Sequence, residues 1–347
     1  MSKTQFSNGS NLTANYLNTI YGSGTTGGHI HDSVDSDGHA PQINLQAHVS
    51  GILPTTHYSP PMDYINGFIM TWVNSGSSYS ITFANGHTKC DQFGFPIVTS
   101  TTATMTKNVI SASGTAVVPW SPGSNAGGVA PTATLPAAGH AGWLHAFAIV
   151  NGSTAYTPDF GFDSDVGGAN IRATSGYNRS RRVGSIYITN TAGNLKIVQF
   201  LQRGDRFTWH DFQNTLNPLH TAAMGNGIVT TTVPIYYVPP SVVTTAILQV
   251  VCQAAPGESI SVNWHTFFDL SGGHSPQPFN GNCDCAVVGS VTGNVIQQAT
   301  RLEVDTNGGP YTANNVGMTY NISGTSASTQ VNFNVWGYID RRGKDNQ

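Results

Sequence analysis

From residue 61 onward the chain is a succession of short β-branched and aromatic runs, each closed by a glycine or asparagine turn, and this alternation excludes most helical architectures. Such runs occupy residues 67–73, 79–83, 142–150, 183–189 and 195–200. Between them stand Asn74-Ser75-Gly76, Asn85-Gly86, Asn151-Gly152 and Gly193-Asn194, residue types that tolerate the positive φ angles of tight hairpins. Further runs follow at 229–238, 242–252, 259–268, 286–291, 301–304 and 331–339. About a dozen strands with no helices between them predict an all-β chain built as an antiparallel β-sandwich. No repeat of fixed period stands out, which argues against a propeller or solenoid. Residues 61–347 therefore read as one large distal β-sandwich domain, or as two subdomains meeting near 239 at Pro239-Pro240. The stretch 209–220 offers no charge-rich linker, which favours one.

Charge decides what such a domain does with its surface. Only 9% of the residues are charged, against roughly 25% in ordinary soluble domains. Hydroxyls and amides must carry the surface polarity, and a surface of that kind can meet copies of itself with little desolvation of charge. The expectation is a subunit of an assembly. A net charge of −3 gives no global attraction to nucleic acid or anionic lipid. Arg179, Arg181 and Arg182 form a basic cluster, expected as a solvated strand end or as ion-pair partners. Four cysteines in a chain of this length do not make a disulfide framework, and Cys283-Asp284-Cys285 places two thiols too close for an easy bridge. The amino terminus lacks the apolar core of a signal peptide, and no run of 18 apolar residues occurs. The sequence thus predicts synthesis in the cytoplasm and no membrane insertion.

Residues 1–60 are different in kind. Leu12, Tyr16 and Ile20 recur at helical spacing after Asn11, a competent N-cap, and Gly22-Ser23-Gly24 ends the pattern. A helix of this length is marginal alone, so it is either an attachment element that packs on a partner or a frayed terminus. Next comes Gly27-Gly28-His29-Ile30-His31-Asp32-Ser33-Val34-Asp35-Ser36-Asp37-Gly38-His39-Ala40, which gathers three of the 12 histidines. In an extended segment His29 and His31 point to the same side. Two imidazoles make a poor metal site, whereas three copies around a threefold axis would complete one. Residues 51–61, ending Tyr58-Ser59-Pro60-Pro61, read as a linker.

These residues carry a resemblance. The helix, glycine-rich turn, His29-Ile30-His31-Asp32 and Asp35-Ser36-Asp37-Gly38-His39-Ala40, followed by a short strand, resemble the amino-terminal attachment region of tail-fibre proteins of tailed bacteriophages. Asp159-Phe160-Gly161-Phe162-Asp163, Arg181-Arg182-Val183-Gly184-Ser185-Ile186 and the run from Phe200 through Gln202, Gly204 and Asp205 to Trp209 are similar to a β-rich domain of phage virion proteins. Both blocks cover less than half of the chain. The resemblance implies a homotrimeric tail-fibre or receptor-binding subunit of the phage tail, held through residues 1–60 by other tail or baseplate proteins. Its distal domain would meet a glycan or protein receptor on the bacterial surface. It also implies a metal site in which His29 and His31 of three chains supply six nitrogens to a transition-metal ion, iron foremost, on the trimer axis. Two alternatives stand beside that site: a surface turn whose histidines bond locally, and calcium on Asp32, Asp35 and Asp37. For calcium, Asn44 occupies the place of the closing glutamate. Asp32-Ser33 replaces the Asp-Gly more common in the family after the paired histidines.

Two other function classes remain: a baseplate, tail-tip or capsid-decorating protein without a receptor site, and a polysaccharide depolymerase spike. The chain has two glutamates, Glu258 and Glu303, and the clustered Asp159, Asp163 and Asp165 read as a structural Asp-rich turn. No nucleophile elbow, zinc-protease helix or phosphate-binding loop is present. A non-catalytic role follows. Arg203-Gly204-Asp205 reads as a tight turn. For receptor contact the loop aromatics Trp120 and Tyr311 are the candidates, since sugar rings stack on such faces. Trp72, Trp143, Trp264 and Trp336 lie in strand patterns and read as core or trimer interface.

Overall fold

Strands dominate the protein wherever its backbone is described. The structure, a computed structural model, describes residues 64–76, 78–89, 96–99, 104–151, 158–210, 227–235, 237–265, 285–289, 296–305, 314–324, 326 and 328–342. All of them belong to one compact unit, Pro60–Gln347. The expected helix over 12–21, His29, His31, the linker and Tyr311 lie outside the described residues.

Strands are numbered in chain order. One sheet joins β1 (Ile65–Gly67), β4 (Gly86–Lys89) and β5 (Pro96–Val98) in the order β1-β4-β5. A second runs β2-β3-β6-β7, from β2 (Met70–Ser75), β3 (Ser78–Phe83), β6 (Met105–Ile110) and β7 (Ala126–Gly127). The third, β11-β10-β8-β9, contains β8 (Ala141–Val150), β9 (Asp159–Asp163), β10 (Arg179–Thr191) and β11 (Asn194–Ile197). The fourth, β12-β13-β20-β15-β18, joins β12 (Phe200–Arg203), β13 (Arg206–Trp209), β15 (Thr244–Ala254), β18 (Ile296–Asp305) and β20 (Gln330–Asp340). The fifth, β14-β19-β16-β17, is built from β14 (Gly227–Ile235), β16 (Ser259–His265), β17 (Cys285–Val288) and β19 (Asn314–Ser323). Pairing is antiparallel except between β6 and β7. The chain is thus all-β in the coarse sense predicted.

Local sequence explains these choices. In β3, Tyr79, Ile81 and Phe83 are buried while Ser78, Ser80 and Thr82 are half-buried, the period-two pattern of a strand covered on one side. β8 reads almost continuously apolar and is buried from Trp143 to Val150, so both of its faces are covered. Leu144, Ala146, Ala148 and Val150 join the main core, whereas Phe147 and Ile149 join Ala130 and Ile171 in a smaller one. The main cluster extends from Ile65 to Tyr338, with no break at Pro239-Pro240. At its centre Tyr338 stacks on Phe207 at 4.8 Å, with Trp143 and Trp209 each 5.8 Å from it. Gly184 is part of that packing: a Cβ there would stand 2.5 Å from Met70 Cε and 3.1 Å from Phe207 Cζ.

Several local expectations need correction. The run 195–200 is not one strand, because β11 ends at Ile197 and β12 starts at Phe200 in a different sheet, where it pairs with β13. A short helix, α1 (Ala169–Ser175), interrupts a stretch expected to be free of helices. Acidic side chains upstream define its start: Asp165 Oδ2 accepts the Ala169 N–H at 2.9 Å and Asp163 Oδ2 the Ile171 N–H at 2.9 Å. Asp159 and Asp163 themselves lie in β9, a wholly buried strand, and not in a turn. Of the two readings of the basic cluster, the solvated strand end is excluded, since Arg181 and Arg182 are 3% exposed, and the ion-pair partner holds for Arg182, which pairs with Asp340. Arg203-Gly204-Asp205 is the tight turn expected, joining β12 to β13 with Gly204 at φ 61°.

Candidate functional site

The charged residues that stand out in the sequence are committed to structure. Arg182 donates through both terminal nitrogens to Asp340, at 2.7 and 2.5 Å, and this pair is buried. Arg182 also donates to Ser185 Oγ at 3.1 Å, and that hydroxyl lies 2.9 Å from His145 Nδ1. The Tyr338 hydroxyl donates to the Ser185 carbonyl at 3.1 Å, and burial pushes its pKa up, so it stays protonated. Asp340 Oδ1 accepts the Arg342 backbone N–H at 2.7 Å. The Arg342 side chain then reaches Asp205 at 2.9 Å and the Gly67 carbonyl at 2.7 Å. Gln202 accepts the Met70 N–H at 2.7 Å and donates to the Gly204 carbonyl at 3.0 Å. The motif through Arg182, Ser185, Gln202, Gly204 and Asp205 is a polar clasp. It ties β1 and β2, the β12–β13 turn and the end of β20 together within the core.

Asp159, Asp163 and Asp165 are equally committed. Asp163, with no exposure, accepts from the Asp165 N–H, Asn170 Nδ2 and the Ile171 N–H, all within 2.8–2.9 Å. Asp159 pairs with buried Lys107 at 2.7 Å and accepts the Gly123 N–H at 2.8 Å and the Phe160 N–H at 2.6 Å. Among the described residues no three His, Cys, Asp or Glu side chains gather closely enough to hold a metal ion, and no helix is long and apolar enough to cross a membrane.

That Lys107–Asp159 pair underlies the one sequence-selected receptor residue within the described chain, Trp120. Lys107 Nζ donates to the carbonyls of Ser121 and Gly123, at 2.7 and 2.9 Å, and stands 5.3 Å from the Trp120 ring centroid. Burial lowers the Lys107 pKa, and Asp159 opposes that shift. A cation, a carboxylate and two carbonyls thus fix the backbone that follows Trp120. The indole Nε1 donates to the Phe160 carbonyl at 3.0 Å, which anchors the ring's polar edge inward. Trp120 remains half-buried, and Ser121, Pro122, Gly123, Ser124 and Asn125 beside it are exposed.

Tyr177 completes the site, edge-on to Trp120 at 5.6 Å and 75°. It too is half-buried, and burial first, then the Asp159 charge, raises its pKa. Sequence reasoning missed it because 57 positions separate the two aromatics and no spacing rule links them; the cue was an aromatic directly after the turn residue Gly176. The pair with its hydroxyl- and amide-bearing loop is a pre-organised aromatic platform. Of the other tryptophans, Trp143 is buried, Trp72 packs against the core and Trp336 is half-buried with Nε1 donating to Gln249 at 2.9 Å.

No family model matches the sequence, and no curated protein matches it. Among solved structures the chain is similar to one of infectious bursal disease virus Gx strain, with 9% identity and a TM-score of 0.20, covering 81% of this chain and 72% of that one. The mosquito-larvicidal Cry4Aa toxin from Bacillus thuringiensis gives 8% identity and a TM-score of 0.20, over 80% of this chain and 52% of the toxin. A glycoside hydrolase family 43 arabinoxylan arabinofuranohydrolase from Bacillus subtilis gives 14% and 0.17, over 78% and 54%. TM-scores this low do not establish a shared fold.

Proposed function

We propose that this chain is a phage tail-fibre subunit that attaches to the virion through residues 1–60 and recognises the host surface with its distal β domain, without catalysis. The observation that carries the recognition half is the Trp120–Tyr177 pair, two partly exposed aromatics in edge-on contact, with the backbone after Trp120 fixed by a buried ion pair. Rigid aromatics beside hydroxyls and amides suit sugar rings, because little entropy is lost on binding. The attachment half rests on the sequence resemblance around His29 to His39. In this reading the sheets of β15 and β16 are the two layers of a sandwich, and three copies close their open edges against one another. Edge strands β12 and β17 carry the exposed apolar residues Leu201 and Val288, which such closure would cover. Three weak sites per fibre, several fibres per particle, give adhesion by avidity.

The test is adsorption. Purified protein is expected to elute at three times the subunit mass in light scattering, to bind host cells and to block phage attachment. Trp120→Phe and Tyr177→Ala are each expected to weaken cell binding at least tenfold with the thermal midpoint nearly unchanged. Protein that binds no host cell, or that locates to the capsid in labelled particles, overturns the proposal. Release of reducing sugar from host polysaccharide would replace it with the depolymerase reading.

A further inference from the structure

A second site lies where three turns meet. The β2–β3 hairpin, the Ser111–Thr115 loop and the β10–β11 hairpin enclose a cleft of about 370 Å³ lined by Gly76, Tyr79, Ser113, Thr191, Asn194 and Lys196. That is the size of a small-ligand pocket. The cleft is pre-formed. Leu195 N–H donates to the Gly114 carbonyl at 2.7 Å, tying two of the turns together. Ser113 Oγ is held between Ser111 Oγ at 2.9 Å and Thr115 Oγ1 at 2.8 Å. Ala192 and Gly193, at φ 52° and 87°, set the third turn.

Two side chains there lack partners among the described residues. Tyr79 is 8% exposed, and its hydroxyl bonds to no described group yet is not sealed from solvent. Its remaining exposure is to the cleft it lines. Lys196 is exposed and forms no ion pair with a described residue, whereas Lys107 is buried and paired. On a surface this poor in charge, an unpaired ammonium at a hydroxyl-lined cleft selects an anion. Asn194, Thr191 and Ser113 offer donors and acceptors suited to sugar hydroxyls.

We infer that this cleft binds a carboxylate-bearing sugar residue, with Lys196 on the carboxylate and Tyr79 and Asn194 on ring hydroxyls. The inference rests on the recognition reading above and gives it a ligand class and a second contact point. Titration calorimetry with D-glucuronate, D-glucose and inorganic phosphate tests it on the whole chain. Glucuronate is expected to bind at least tenfold more tightly than glucose or phosphate, Lys196→Gln to abolish that preference, and Tyr79→Phe to weaken glucuronate several-fold while the thermal midpoint holds. No glucuronate binding, equal binding of glucose, stronger binding of phosphate, or an unaltered preference in Lys196→Gln overturns it. Cell binding separates the two proposals. If wild-type protein binds cells but not glucuronate, the cleft assignment fails and recognition stands; if glucuronate binds at the cleft and cells do not, the reverse holds.

Discussion

Asp340→Ala is expected to lower the unfolding free energy by about 3–5 kcal/mol, the usual cost of stranding one member of a buried ion pair. Removing the carboxylate leaves the buried Arg182 guanidinium without the acceptor of two hydrogen bonds, and leaves the Arg342 N–H without its own. The loss should spread, because Arg342 also holds Asp205 and the Gly67 carbonyl. The double replacement Arg182→Met with Asp340→Leu is expected to recover more than half of the loss, since it strands no charge. Urea denaturation of the three proteins at one concentration measures both effects. A loss below about 1 kcal/mol, the range of exposed pairs, would mean that the clasp does not bear on stability. Burial acts to raise the Asp340 pKa, yet the Arg182 charge and hydrogen bonds and the Arg342 contacts hold it below its ordinary value of 3.8. A carboxylate depressed on folding stabilises fully above its unfolded pKa, so this contribution fades as pH falls below 3.8.

How much of this was legible follows from the length scale of each signal. The β3, β8, β10, β15 and β20 patterns are local, and residues within single runs were enough to place them. β19 was not, because Asn314-Asn315-Val316-Gly317-Met318 has little β propensity and becomes a strand by pairing with β14 and β16 on either side. β9 was misread as a turn for a related reason. Asp159 and Asp163 look like turn formers until Lys107, 52 residues earlier, and α1, just downstream, supply their partners. The same separation hides the clasp: Arg182 and Asp340 stand 158 positions apart. Trp120 was visible as a loop aromatic, but what makes it a platform, the ion pair beneath and Tyr177 beside it, arises only on folding. Gly184 and Gly204 belong to the motif that prompted the phage resemblance, and one fits by close packing, the other by its positive φ.

Acid sensitivity that begins well above the carboxylate range is the second large effect expected, and His145 is its source. The ring is 2% exposed. Burial first, then the nearby Arg182 charge, lowers its pKa from 6.5 to about 3, only partly offset by Asp340 and Asp165. Ser185 Oγ accepts from Arg182 and so keeps its own proton to give to Nδ1, which suits a neutral imidazole. Between pH 6.5 and about 3 the unfolded chain takes up a proton that the folded one refuses. Stability therefore falls with falling pH, by up to tenfold in the folding equilibrium per unit, and the contribution is complete above 6.5. His145→Gln keeps a polar group beside Ser185 but cannot titrate. It should be less stable than wild type at pH 8, with the gap narrowing more than tenfold in the folding equilibrium by pH 5. Histidines elsewhere are common to both proteins and cancel in the comparison. A gap that stays constant from pH 8 to pH 5 would show that folding leaves the His145 pKa unchanged, and below 6.5 the clasp would then contain two cations, Arg182 and His145, around the single carboxylate of Asp340.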